Sequence, residues 1–146
     1  MTKVTMHFTI EELYASDTAK RLGIDNKPPM QQMINLVYLA AYVLEPLRVA
    51  IKRPIILSSG FRCHELNRKV GGVSNSQHLK GQAADISIDG DMAFGRKIFD
   101  YIRDHLPFDQ LIWEHNAAGV YWVHVSYIHP DFGTNRKNVI ENLKKK

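Results

Sequence analysis

His78 and Asp85 stand seven residues apart in the run SNSQHLKGQAADISI from Ser74 to Ile88, and a second imidazole follows downstream in Trp122-Val123-His124. Two neutral imidazoles and one carboxylate are a familiar protein ligand set for a catalytic zinc, whose fourth position stays open to water or substrate. A metal held in this way lowers the pKa of its water toward neutrality and polarises a carbonyl, so an amide can be hydrolysed without a protein nucleophile. The gap does not suit the i, i+4 pair of a helical HExxH motif. It predicts two segments joined by a turn, which Gly81 can supply because it tolerates positive φ.

The elements that must position these groups follow from the pattern around them. Ala83 and Ala84 permit close backbone approach, and Asp85-Ile86-Ser87-Ile88 then alternates as a strand, with Asp85 and Ser87 on one face and the isoleucines in the core. Downstream, Gln110 to Glu114 and Val120 to Tyr127 read as a hairpin with a longer loop over 115–119. Val120, Trp122, His124 and Ser126 share one face of its second strand, and Tyr121, Val123, Val125 and Tyr127 share the other. His124 reaches the same point as Asp85 if their two strands are neighbours in one sheet.

Earlier in the chain, Thr9-Ile10-Glu11-Glu12 is a capping box with Phe8 and Leu13 as its hydrophobic staple, and it predicts a short helix. Residues 23–29 read as loop. Met33, Val37, Ala40, Leu44 and Leu47 mark one face of a long amphipathic helix, which Pro46 should kink or break near its end. Pro54 to Ser59 reads as a buried strand, and His64 to Val70 as a brief helix closed by Gly71-Gly72. Phe94, Ile98, Tyr101 and His105 recur at helical spacing. Short helices on a central, mainly antiparallel sheet give an α+β domain spanning 1–146, with the metal in a groove on the sheet's open face.

One cysteine, Cys63, permits no internal bridge, and no run is read as a signal peptide or a membrane span. Cytoplasmic synthesis follows, with delivery or release by another agent if the target lies beyond the membrane. The net charge of +4 and pI near 9.2 favour an anionic environment. Arg136, Lys137, Lys144, Lys145 and Lys146 carry much of that excess and read as a solvated, frayed tail. Without interleaved aromatics the tail is a weak case for nucleic acid. His7, His64, His105 and His129 are expected at the surface without partners.

The segment Ser76-x-His78-x-x-Gly81-x-Ala83-x-Asp85 resembles the SxHxxGxAxD signature of the M15 family of zinc D,D-peptidases and related phage endolysins, and Trp122-Val123-His124 resembles its second, WxH motif. Ser58-Ser59-Gly60-Phe61-Arg62 is similar to the family's SGYR element. Stretches such as His7-Phe8-Thr9, Leu44-Glu45-Pro46-Leu47-Arg48 and Phe108-Asp109-Gln110-Leu111-Ile112 look like a compact, phage- and prophage-associated branch.

The resemblance implies a hedgehog/D,D-peptidase-like fold, with His78, Asp85 and His124 as ligands of Zn2+. It also implies a monomer acting on peptidoglycan peptides that contain D-amino acids, without nucleic acid or membrane. Arg62 matches the family arginine near the scissile carbonyl, where it stabilises the oxyanion or binds a substrate carboxylate. Ser76 and Trp122 are expected to touch substrate.

The general base departs from the family pattern, because Tyr121 stands where many relatives carry a carboxylate and by parity faces away from His124. Glu114 is the remaining candidate, provided the hairpin register puts it on the His124 face. His115, which begins the loop, is a poorer rival. Three readings follow: a zinc peptidoglycan peptidase, a zinc-containing wall-binding module without turnover, and a basic nucleic-acid-binding domain.

Overall fold

The alternation around Asp85 folds as strand β2 (Ala83–Ser87), which buries Ala84 and Ile86 and turns Asp85 and Ser87 the other way. The computed structural model describes residues 2–145. Beside β2 lie β1 (Ile56–Ser59) and β4 (Tyr121–Ser126), followed by β3 (Gln110–His115) and β5 (Asn138–Lys144), in the order β1-β2-β4-β3-β5. All pairings are antiparallel except β3 with β5. This mostly antiparallel sheet with its helices is the expected α+β fold.

One face of the sheet meets the helices. Ala84, Ile86, Leu111, Trp113, Val123 and Val125 pack there in one core with Leu36, Leu39, Leu44, Leu47, Ile98, Phe99 and Ile102. Each such aliphatic or aromatic side chain contributes about 1.5–3 kcal/mol by leaving water. Helix α5 (Met92–His105) turns Phe94, Ile98 and Ile102 inward, together with Gly95 and Phe99. Tyr101 and His105, expected on that face, stack on each other at 4.7 Å along its rim.

The long apolar pattern forms α2 (Met30–Leu39), a π turn (Ala40–Leu44) and α3 (Glu45–Ile51) without interruption. Pro46 does not break it. The wider winding just before Pro46 absorbs an extra residue where proline has no N–H to give and needs clearance from the preceding turn. By length and composition the 22 residues Met30–Ile51 could cross a membrane, contrary to the sequence expectation. Their burial gives them another use here, since Leu36, Leu39, Ala40, Val43, Leu44 and Leu47 are fully covered by the core. Asn35 pins the helix by donating from Nδ2 to the Lys80 carbonyl at 2.8 Å.

Four further expectations need correction. The capping box forms, with Thr9 N donating to Glu12 Oε1 at 3.1 Å and Glu12 N to Thr9 Oγ1 at 3.4 Å, but it opens only a 3-10 turn, Glu11–Leu13. The Leu13 carbonyl is taken by Phe61 N at 2.9 Å, and α1 (Asp17–Leu22) starts separately behind its Ser16 cap. The segment read as a buried strand is an edge strand, β1, that leaves Ile56 exposed. His7 is partnered by Glu45 at 2.6 Å, and His129 stacks on Tyr38 at 4.1 Å.

The fourth correction concerns the tail: its described residues are held rather than frayed. Residues 138–144 form β5, and Arg136 grips the fully buried Asp109 through Nε and Nη2 at 3.0 and 2.7 Å. Lys146 lies outside the described residues. Helix α4 (His64–Lys69) forms close to its expected limits.

Gly60 joins fold and site. A Cβ there would sit 2.0 Å from the Leu13 carbonyl oxygen, in backbone that cannot yield cheaply. Gly60→Ala is expected to destabilise the protein by about 3 kcal/mol, measured by urea denaturation. Unchanged stability would show that the 3-10 turn can move aside.

Candidate metal centre

The open face of the sheet carries the polar residues that the core excludes. Asp85 of β2 is directly opposite His124 of β4, so two side chains remote in sequence leave the same face at one level. His124 Nδ1 lies 2.9 Å from Asp85 Oδ1. His78 arrives from a 3-10 turn, Gln77–Lys80, that ends at Gly81 with φ 70°. This is the two-segment geometry expected from the spacing, and a Cβ at Gly81 would meet the Gln32 carbonyl at 2.4 Å. His78 Nε2 stands 3.4 Å from Asp85 Oδ2, and the rings of His78 and His124 are 5.2 Å apart.

These three donor groups fit a zinc ion. One ligand atom from each lies within 4.8 Å of the others, close to the roughly 3.3 Å separation that a tetrahedral site with bonds of about 2.0 Å requires. His78 Nδ1 is 2.7 Å from the Gly60 carbonyl, which fixes that nitrogen as the N–H donor and leaves Nε2 a free lone pair. Ser76 supports the turn by accepting from His78 N at 3.1 Å. Burial pushes the His78 imidazole below its ordinary pKa, with Asp85 opposing, so the ring is in the neutral form a metal needs. Burial works against charge on Asp85 too. The positive charge and hydrogen bonds of His78 and His124 outweigh it and hold the carboxyl well below the usual range.

Glu114 pairs with Trp122 across the hairpin, and this register puts it on the His124 face. Its Oε1 is 3.7 Å from His124 Nδ1, and its side chain is 2 % exposed. Burial raises the Glu114 pKa and Asp85 adds to the rise, while His124 and Lys145 oppose it. Tyr121 pairs with His115 instead and stacks on it at 4.9 Å, on the opposite face.

Arg62 enters from the loop after β1, where its backbone N donates to the His78 carbonyl at 3.0 Å. Burial lowers its pKa, and the charges of Asp85 and Glu114 counter that. A guanidinium remains charged regardless. A groove of about 960 Å³ runs over all five groups, with Ser76 and Trp122 among its walls. Arg62 also lines a smaller hollow of about 320 Å³ with Ser16, Asp17, Ser58 and Ser59.

Three contributors were not legible beforehand. The Gly60 carbonyl that orients His78 is backbone and has no sequence signature. Asp109 is buried and receives hydrogen bonds from Arg136 and, at 3.0 Å, from Gln77 Nε2. Lys145 brings its Nζ within 3.5 Å of Glu114 Oε2. The last two depend on the C-terminal segment, whose composition resembles solvated tail.

An α+β domain with a His-Asp-His cluster in a groove on its sheet face defines a class of metal-site proteins. The family model described as Peptidase M15 matches residues 6–126, and the chain belongs to that family. Membership carries a zinc-peptidase type of function and hydrolase chemistry, in keeping with the candidate metal site. None of the curated proteins compared with the chain matches it.

Zinc titration against a competing chelator should show about one ion per chain. His78→Ala, Asp85→Ala and His124→Ala should each weaken binding by more than the roughly 10–100-fold that loss of an outer partner costs. Acid should also destabilise the metal-free protein. His78 is depressed on folding, so above about pH 6.5 both folded and unfolded states hold it neutral and its contribution is complete. Below that pH the unfolded chain binds the proton first, and urea denaturation should show stability falling from pH 7 to pH 5.5. His78→Phe should flatten that slope; an equal slope in the variant would assign the loss elsewhere.

Proposed function

We propose that this protein is a zinc-dependent peptidoglycan peptidase, hydrolysing amide bonds in cell-wall peptides that contain D-amino acids. The observation that carries the reading is the convergence of His78 Nε2, Asp85 and His124 Nδ1 beneath a groove that also holds a buried carboxylate and a guanidinium. Zinc bound by the three ligands supplies a Lewis acid and lowers the pKa of a water in the fourth position.

The remaining roles fall to the protein's own groups. Asp85 draws His124 into line, and the Gly60 carbonyl holds the His78 ring so that Nε2 faces the cluster. Glu114 has the burial and the raised pKa of a general base: it takes the proton of the attacking water and passes it to the leaving amine. Arg62 offers fixed positive charge to the oxyanion that forms on the scissile carbonyl. Trp122 and Ser76 wall the groove on either side of these groups and bear on the peptide. The low exposure of Glu114 keeps bulk water from competing for its proton.

Peptide substrates, a cytoplasmic site of synthesis with action after release, a phage or prophage setting and a monomeric state are part of the same proposal. The alternative of a zinc-bearing wall-binding module draws on Tyr121, which lies on the wrong face to act at the cluster. Glu114 supplies the carboxylate that Tyr121 does not, and that favours the enzyme.

Purified wall peptides incubated with the zinc-loaded protein should be cleaved, with cleavage lost to a chelator and restored by zinc; metal-independent cleavage, or none with zinc bound, rejects the proposal. Glu114→Gln should keep its zinc and lose about 10²–10⁴-fold in kcat. Arg62→Ala should lose about 10²–10³-fold, the scale set by removal of one oxyanion donor. Peptide binding without turnover in the unaltered protein would establish the binding module instead.

A further inference from the structure

Strand β5 reaches the groove by an irregularity in its pairing. Its register with β3 runs through Ile112↔Ile140 and then Glu114↔Leu143, so β5 spends three residues where β3 spends two. Asn142, with φ 61°, lies within this bulge. Side chains alternate along a strand, so an unbroken ladder from Ile140 would bring Lys144 to the Glu114 face. The bulge shifts the parity and brings Leu143 and Lys145 there instead.

The pairing continues past the bulge, with Lys145 N donating to the His115 carbonyl at 2.7 Å. From this anchor the Lys145 Nζ reaches within 3.5 Å of Glu114 Oε2, at the groove rim. The carboxylate below needs such a partner. Glu114 Oε2 is buried without a hydrogen bond, and Oε1 looks toward His124 at 3.7 Å. An ion pair between two exposed groups would contribute little. Here one partner is 2 % exposed, and removing its counter-charge leaves a buried anion uncompensated.

We propose that Lys145 is a positioning residue, delivered by the bulge in β5, whose ammonium holds the Glu114 carboxylate with Oε1 toward His124. The inference rests on the reading of Glu114 as the base. Lys145 lies beyond the 6–126 match, so the device belongs to the C-terminal segment of this chain rather than to the matched family region.

The test uses the full-length, zinc-loaded protein with Lys145→Met, Lys145→Arg, Glu114→Gln and the double variant Glu114→Gln/Lys145→Met. Zinc content and melting temperature serve as controls for folding. Lys145→Met should lower kcat about tenfold with KM within about twofold, Lys145→Arg should recover most of the loss, and Lys145→Met should cost nothing more in the Glu114→Gln background. Crystal structures of the unaltered and Lys145→Met proteins report on the same point without turnover, with Glu114 Oε1 beside His124 in the first and turned away in the second. The proposal is overturned if the kcat loss is equal in both backgrounds, if KM alone moves, or if Glu114 keeps its place in Lys145→Met. Full turnover by Glu114→Gln would reject the base assignment instead, a separate failure, because the pair of crystal structures still decides whether Lys145 sets the carboxylate.

Discussion

The pairing of Asp85 with His124 across β2 and β4 is the constraint on which the rest of the site depends. A slip of one residue in that ladder would exchange the two faces of a strand, sending a ligand into the core and an isoleucine or valine into the groove. The core prevents it. Ala84 and Ile86 from β2 and Val123 and Val125 from β4 are completely buried under the helices, so register and ligand placement are fixed by the same apolar contacts. The hairpin extends the logic one strand further, because Trp113 packed in the core forces Glu114 out onto the ligand face.

That face holds much ionisable chemistry for so little exposure. Asp85 and Glu114 are carboxylates in one buried region, and placing two such charges together is unfavourable without compensation. Compensation comes from several directions: two imidazoles around Asp85, Arg62 from the loop after β1, and Lys145 from the sheet edge. The two carboxylates respond differently because their partners differ. Asp85 touches two histidines and is held ionised, as a ligand should be. Glu114 has weaker, more distant partners and is pushed toward retaining its proton. The same burial thus separates a ligand from a group suited to exchange protons, in the way paired carboxylates divide acid and base roles elsewhere.

The elements legible in the sequence are those written in short-range pattern. Seven residues with a glycine between His78 and Asp85 could not be one helical face, and the alternation of β2 and β4 told which residues share a side. The Glu114 assignment needed only the loop length and parity, and the observed pairing with Trp122 supports that placement. Tertiary context decided what was misread. Pro46 looks like a breaker until a π turn accommodates it, and Lys144 and Lys145 look like tail until β3 offers an unpaired edge. A charged sequence is an ordinary choice for an edge strand, since lysines discourage pairing with other chains. Composition alone therefore could not separate strand from tail.

The division between ligand floor and groove wall also bears on substrate choice. All three ligands, Arg62 and Glu114 lie within residues 6–126, the span matched by the family model. Arg136, Leu143, Lys144 and Lys145 line the groove from outside that span. Arg136 is tied to Asp109, and through it to Gln77 beside the ligand His78, so the added segment is joined to the floor by a buried ion pair as well as by strand pairing. A wall anchored in this way can differ between chains while the floor stays the same, because metal geometry constrains the ligands and only the peptide constrains the wall. Which wall peptide fits is thus a question for the positively charged rim contributed by β5 and the segment leading to it, whereas the hydrolytic chemistry belongs to the register of β2, β4 and β3.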